Sequence, residues 1–129
     1  MKKYRVIVEE TGKSKPRDHE LEIAEKLTAY FESDIIFIRR AQSKTPDLYI
    51  TKTNTRWELK SPIGGGKHTI KNNLRDIEYQ SENVILDLSR AKLTDEKGIS
   101  RAKEFLRTKH CGIKRLKIFT KSGDMIDIK

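Results

Sequence analysis

The sequence predicts a single α/β domain whose mixed central sheet carries helices on both faces. Short runs rich in β-branched residues alternate with segments whose apolar residues recur at the three-and-four spacing of a helix. Two of these runs, Asp34–Arg40 and Asn83–Leu88, are almost continuously apolar, as strands covered on both faces are. The length of 129 residues suits one domain with one core.

The N-terminal half is predicted to supply an extra edge strand at about residues 4–9 and then a helix. Asp18 is the expected N-cap of that helix, which ends near Phe31. Glu20 falls close to the middle of its apolar stripe. An acid in the first turn is favoured by the helix dipole alone; the alternative is that Glu20 projects past the stripe toward acids on the next strands.

A hairpin with charged residues on one face follows the first central strand. A turn symmetric about Lys52 and Thr53 sets Asp47 directly opposite Glu58, with their Cβ atoms roughly 4.5–5.5 Å apart. Two carboxylates that close repel each other unless a cation lies between them, and Mg²⁺ favours carboxylate oxygens, water and phosphate. Lys60 falls on the same face and within reach of the same water or phosphate. The alternative is a solvated face whose charges balance. The opposite face is expected to be apolar and contains Leu48, Ile50, Trp57 and Leu59.

A glycine-rich turn, Gly64–Gly66, precedes a helix predicted over residues 68–80. Such a turn is a possible anion site because backbone N–H groups point outward at the start of a helix. The alternative is a flexible connector. Four residues of the turn and of the polar side of the helix are candidate contacts to substrate phosphates: Lys67, His68, Lys71 and Arg75.

The C-terminal part is predicted to contain a strand, a helix capped by Thr94 or Asp95, and a closing hairpin from about Leu116 to Ile128. Lysine and apolar residues alternate along that hairpin, as in a half-exposed edge strand.

Composition narrows the classes of partner and of chemistry. Lys and Arg number 28 against 19 Asp and Glu, which gives a net charge of +9 and favours nucleic acid as the partner. One cysteine, Cys111, excludes a disulfide framework and a cysteine-based zinc cluster. No apolar run reaches the length of a signal peptide or a membrane span, so a soluble protein without membrane insertion is expected.

The order of these elements, with Pro46-Asp47 on one strand and Glu58-x-Lys60 on the next, resembles the αβββαβ core of the PD-(D/E)xK nuclease superfamily. The resemblance implies a restriction-endonuclease-like fold. It also implies that Asp47, Glu58 and the Leu59 carbonyl bind Mg²⁺ or another divalent cation such as Mn²⁺, that Lys60 positions or activates the attacking water, and that Glu20 completes the metal site.

A narrower resemblance links three segments to the C-terminal tRNase toxin domains of bacterial contact-dependent growth inhibition (CdiA-type) proteins. These segments are Lys44–Asp47, Trp57–Pro62 with its glycine-rich tail, and Ser81–Leu88. The resemblance implies a tRNA-cleaving toxin that acts in the bacterial cytoplasm, reaches target cells as part of a larger protein and is neutralised by a cognate immunity protein.

Three alternatives stay open at this point. The first is a DNA endonuclease of the same superfamily, because the net charge does not separate RNA from DNA. The second is a non-catalytic nucleic-acid-binding module with structural acids. The third is a protein that binds a partner by strand addition along the Leu116–Ile128 edge.

Overall fold

The structure is a computed structural model in which residues 3–8, 16–38, 47–77, 81–107 and 112–129 are described. Several predictions fall outside these ranges: Pro46 and the Lys44-Thr45 segment, the end of the first central strand at Arg39 and Arg40, residues 78–80 of the second helix, and Cys111. The described residues form two compact units, Met1–Leu59 and Lys60–Lys129. The single-domain boundary of 1–129 stays a prediction.

The first unit contains one helix and a mixed set of strands. Within it the strand order is β1-β2-β3-β4; β1 is parallel to β2, and β2–β3 and β3–β4 are antiparallel. The second strand therefore has neighbours on both sides, as its apolar run predicts. The elements are β1 (Val6–Val8), α1 (Asp18–Phe31), β2 (Ile35–Ile38), β3 (Asp47–Ile50) and β4 (Thr55–Lys60), whose last residue opens the second unit.

The core of this unit forms where the apolar stripe of α1 and the apolar sides of the strands are buried. Four hairpin residues predicted to share one face are at most 3% exposed, and the ring centroid of Trp57 lies 5.8 Å from that of Phe31 in α1. The alternation of the hairpin therefore buries one face, as expected. The buried apolar residues are Ile23, Ala24, Leu27, Ile35, Phe37, Leu48, Ile50, Trp57 and Leu59.

The second unit pairs β5 with β6 in parallel and β6 with β7 in antiparallel register. Its core contains both helices and two of its strands, including Leu74, Leu86, Ala102 and Ile118, each 0% exposed. The elements are α2 (Thr69–Ile77), β5 (Asn83–Asp87), α3 (Asp95–Leu106), β6 (Arg115–Phe119) and β7 (Met125–Asp127).

These observations confirm the predicted mixed α/β class, since each unit combines at least one helix with parallel and antiparallel strands. The closing hairpin and the Thr94 cap are also confirmed: the Thr94 hydroxyl accepts a hydrogen bond from the Lys97 N–H. The predicted N-cap of α1 was wrong by one residue. Arg17, not Asp18, is the cap, because its carbonyl accepts the first helical hydrogen bonds, from Glu20 and Leu21.

Candidate active site

Two carboxylates face each other across the β3–β4 hairpin. Asp47 is the direct partner of Glu58 in the strand register, which confirms the predicted pairing. Both residues are largely buried, at 9% and 6% exposure. Acids are seldom buried without a compensating interaction. Their placement side by side therefore concentrates negative charge at one point of the hairpin.

Arg56 is a cation close to this pair, and nothing in its sequence context singles it out. It pairs with Tyr49 in the register, and its Nη1 lies 4.0 Å from Asp47 Oδ2. The Arg56 side chain is half-exposed, at 51%. Exposed ion pairs contribute only about 0–1 kcal/mol, so this contact offsets part of the charge of the acid pair. A lone arginine on a strand carries no signal by which such a role could be predicted.

Glu20 is buried in the first turn of α1, at 5% exposure. Its Oε1 accepts a hydrogen bond from the Arg17 N–H at 2.9 Å, while its own N–H donates to the Arg17 carbonyl at 3.0 Å. The acceptance by Glu20 is the half of a capping box that the N3 residue supplies, and the Arg17 side chain, which has no acceptor, does not supply the other half. A structural role for Glu20 at the start of α1 is therefore observed. Its additional role at a metal stays a prediction.

The hairpin offers the right type of donor for a hard divalent cation. Two carboxylates and a nearby backbone carbonyl, that of Leu59, are oxygen ligands of the kind that Mg²⁺ prefers. Within the described parts of the chain, no group of three His, Cys, Asp or Glu residues is arranged to hold a metal ion. Two carboxylates are a donor set of the size that Mg²⁺ takes when it keeps several water or phosphate ligands, as it commonly does.

Lys60 ends β4, two residues after Glu58, and is partly exposed. Residues two apart on a strand point to the same face. Just beyond it, the Ser61 hydroxyl donates to Asp87 Oδ2 at 3.2 Å, and Asp87 Oδ1 accepts from the Ser89 N–H at 3.0 Å. Asp87 is 1% exposed, so a buried acid anchors the residue that follows Lys60.

In the second unit, three of the four predicted phosphate contacts line one pocket of about 250 Å³: Lys67, His68 and Lys71. Arg75 is not among the described residues that line it; its Nη2 donates to Asn72 Oδ1 at 2.9 Å. The other wall comes from α3, with Arg101, Glu104 and Phe105. The sequence did not predict this wall, because charged residues on a helix surface do not reveal which element they approach.

The glycine-rich turn is held at its carbonyl groups. The Lys92 N–H donates to the carbonyls of Ile63 and Gly64 at 3.2 and 3.1 Å, and Arg101 Nη1 donates to the Gly66 carbonyl at 3.0 Å. A Cβ atom at Gly65 would lie 2.3 Å from the Lys92 carbonyl oxygen. Glycine is therefore needed at position 65 for a close backbone approach. These contacts argue against a purely flexible connector.

The fold has a counterpart among solved structures. The chain is similar to one in the CdiA-CT/CdiI toxin and immunity complex from Burkholderia pseudomallei, with a TM-score of 0.64 over 97% of this chain and 98% of that one. The two sequences are 15% identical, so this likeness defines the fold only.

The sequence itself places the chain in a family. Residues 44–125, well over half of the chain, match the model of the contact-dependent growth inhibition CdiA C-terminal domain. The chain belongs to this family. A comparison with curated proteins found no match. In the parts of the chain that the structure describes, no helix combines the length and apolar character needed to cross a membrane.

Proposed function

We propose that this chain is the toxin domain of a contact-dependent growth inhibition protein and that it is a metal-dependent endonuclease of the PD-(D/E)xK type. The observation that carries the proposal is the pair of buried carboxylates, Asp47 and Glu58, which are direct partners across β3 and β4. Membership of the CdiA C-terminal family supports a toxic activity. The net charge of +9 favours a substrate made of phosphates.

In this proposal Asp47, Glu58 and the Leu59 carbonyl hold Mg²⁺ or Mn²⁺, with Glu20 acting directly or through water. The bound ion would polarise the scissile phosphate and lower the pKa of the attacking water. Lys60 orients that water or stabilises the charge that develops on the phosphorane. The products are a phosphomonoester and a free hydroxyl, because water adds across one P–O bond.

Transfer RNA is the favoured substrate. Lys67, His68, Lys71 and Arg75 would contact its phosphates, and such contacts fix position without reading sequence. The domain would enter target cells as part of a larger protein and act in their cytoplasm. The similar solved structure is a toxin and immunity complex, and by analogy this chain would be neutralised by a cognate immunity protein.

Incubation of the purified chain with total RNA and with plasmid DNA, each with Mg²⁺ and with EDTA, tests this function. We expect cleavage of tRNA that stops in EDTA, because the acid pair requires a cation to bind phosphate. Cleavage of DNA alone would contradict the tRNase assignment. The variant Glu58→Gln should lose this cleavage. Glu22→Gln is its matched control and should keep it, since Glu22 is exposed on α1 and the variant removes the same charge.

One observation favours a second candidate, a non-catalytic nucleic-acid-binding module. Arg56 Nη1 lies 4.0 Å from Asp47 Oδ2, so the charge of that acid is partly offset without a metal ion. A binding module would show affinity that falls steeply with salt but no response to Mg²⁺ or to Lys60→Ala. The nuclease responds to both.

A further inference from the structure

The pocket between α2 and α3 has a composition that the proposed phosphate contacts do not explain. It lies within the second unit. It is lined by Lys67 and His68 from the turn before α2, by Lys71 from the first turn of α2, and by Arg101, Glu104 and Phe105 from α3. Its volume of about 250 Å³ lies slightly below the roughly 300–1,000 Å³ typical of small-molecule pockets. A single nucleotide unit suits this size better than a larger ligand.

Three of the lining residues are suited to a phosphate. Lys67, Lys71 and Arg101 have side chains that donate hydrogen bonds and carry positive charge. Arg101 is fixed in place, because its Nη1 donates to the Gly66 carbonyl at 3.0 Å, 35 positions away in the chain. A guanidinium held by one nitrogen keeps further N–H donors in a rigid plane. Three cations around one pocket attract a group that carries negative charge.

Two further lining residues are not suited to a phosphate. Glu104 is an exposed carboxylate, and a carboxylate repels phosphate but accepts hydrogen bonds from N–H groups. Phe105 is 6% exposed and contributes an apolar wall. An N–H acceptor beside an apolar wall matches a nucleobase, whose edge is polar and whose face is not.

Guanine is the base that matches a carboxylate best. Its N1–H and N2–H₂ groups are adjacent donors, so they can engage both oxygens of one carboxylate. Cytosine and adenine offer only an amino group beside an acceptor, and the N3–H of uracil is flanked by two carbonyl oxygens that repel a carboxylate. Proteins read the exposed edges of unpaired bases in RNA in this way.

We propose that this pocket binds one unpaired guanine nucleotide of the substrate, with Lys67, Lys71 and Arg101 on the phosphate and Glu104 on the base edge. This inference rests on the proposed function in so far as the nucleotide belongs to the nuclease substrate. It extends that function from contacts that only position the backbone to recognition of a base.

The test is titration of the full chain with guanosine and uridine monophosphates, followed by calorimetry and by NMR shifts of the backbone amides. It is carried out in EDTA, so that the result does not depend on metal binding or cleavage. We expect guanosine monophosphate to bind roughly tenfold more tightly than uridine monophosphate, as for one bidentate base contact. The largest amide shifts should fall on residues 67–71 and 101–105.

Two variants separate the parts of the site. Glu104→Gln should abolish the preference for guanine. Lys71→Gln should lower the affinity for both nucleotides about equally, by roughly threefold to tenfold, because one phosphate contact is lost. Lys103→Gln removes the same charge from a residue of α3 that does not line this pocket and should change neither affinity. All three side chains are exposed, so the variants are expected to fold, and circular dichroism checks this.

Three results would overturn the inference. One is equal affinity for the two nucleotides, and another is a guanine preference that survives Glu104→Gln. The third is a hexaglutamate peptide that binds as tightly as guanosine monophosphate, which would indicate a general surface for polyanions or acidic proteins. A chain that binds guanosine monophosphate but cuts no nucleic acid would refute the nuclease and leave the pocket intact, so the two failures are distinguishable.

Discussion

Replacing one acid of the hairpin should make the protein more stable while it removes activity. The variant is Glu58→Gln, which keeps the shape of the side chain and removes one of two negative charges that are direct partners in the strand register. At about 5 Å and an effective dielectric constant near 20, two like charges repel by about 3 kcal/mol. The Arg56 contact at 4.0 Å is made with Asp47 and persists in the variant. Glu58 takes part in an interaction of its own, and weakening it offsets part of this gain.

We therefore expect Glu58→Gln to raise the free energy of unfolding by about 1–2 kcal/mol in EDTA, which corresponds to roughly 4 °C in Tm per kcal/mol for a chain of this size. Urea unfolding followed by the fluorescence of Trp57 measures this, since Trp57 is the single tryptophan and is buried beside Glu58 on β4. Mg²⁺ at ten times its Kd should stabilise the wild type by about 1.4 kcal/mol and leave the variant unchanged.

The opposite outcome would refute the electrostatic argument. If Glu58→Gln lowers the stability in EDTA, the interactions of Glu58 within the protein outweigh its repulsion by Asp47. If Mg²⁺ also fails to stabilise the wild type, the two acids do not form a cation site. Glu22→Gln is the control, because Glu22 is an exposed acid on α1 whose ion pair with Lys26, at 3.9 Å, contributes little. Its stability should stay within about 0.5 kcal/mol of the wild type.

Three further outcomes are expected. Lys60→Gln should lower the single-turnover cleavage rate by roughly 10²–10³-fold with little change in substrate affinity, because the lysine acts on charge that develops in the transition state; an unchanged rate would exclude it from the chemistry. Gly65→Ala should lower the free energy of unfolding in urea by about 1–3 kcal/mol, since its Cβ atom would lie 2.3 Å from the Lys92 carbonyl oxygen. Gly66→Ala is the control: its Cβ atom would lie 3.5 Å from the nearest neighbour, and the variant should lower the free energy of unfolding by less than about 0.5 kcal/mol. Thr94→Ala removes the side-chain cap of α3 and should lower the free energy of unfolding by about 1 kcal/mol, whereas Thr94→Ser keeps the cap and should be about as stable as the wild type. If the Ala and Ser variants are equally stable, the cap contributes nothing.

The hairpin was predictable because its pattern is local. Alternation assigns each residue of β3 and β4 to a face, and once the turn is centred on Lys52 and Thr53, the partner of Asp47 follows by counting. Asn54, at φ 55°, lies within this turn, and asparagine tolerates the left-handed region better than most residues. A buried apolar face then fixes the register, because a slip of one residue would expose it.

Other features depended on contacts that are distant in sequence. At the α2–α3 pocket, Arg101 donates a hydrogen bond to the Gly66 carbonyl, and the sequence around either residue does not indicate that the two are in contact. The sequence indicates only that Asp87 lies near the end of an apolar strand. Its hydrogen bond from the Ser61 hydroxyl joins residues 26 positions apart and is not predictable from the sequence. The N-cap of α1 shifted from Asp18 to Arg17 because the backbone hydrogen bonds, not the preference of one side chain, decide where a helix begins.

The most direct test of the account is single-turnover cleavage of tRNA by the wild type and by Asp47→Asn, each with Mg²⁺ and with EDTA. Asp47→Asn keeps the size of the side chain and removes a charge that the proposed cation needs. EDTA should abolish cleavage by the wild type, and Asp47→Asn should lower the rate in Mg²⁺ by at least about 10³-fold while circular dichroism shows an unchanged fold. Cleavage by Asp47→Asn at the wild-type rate would contradict the assignment of the acid pair as the catalytic site.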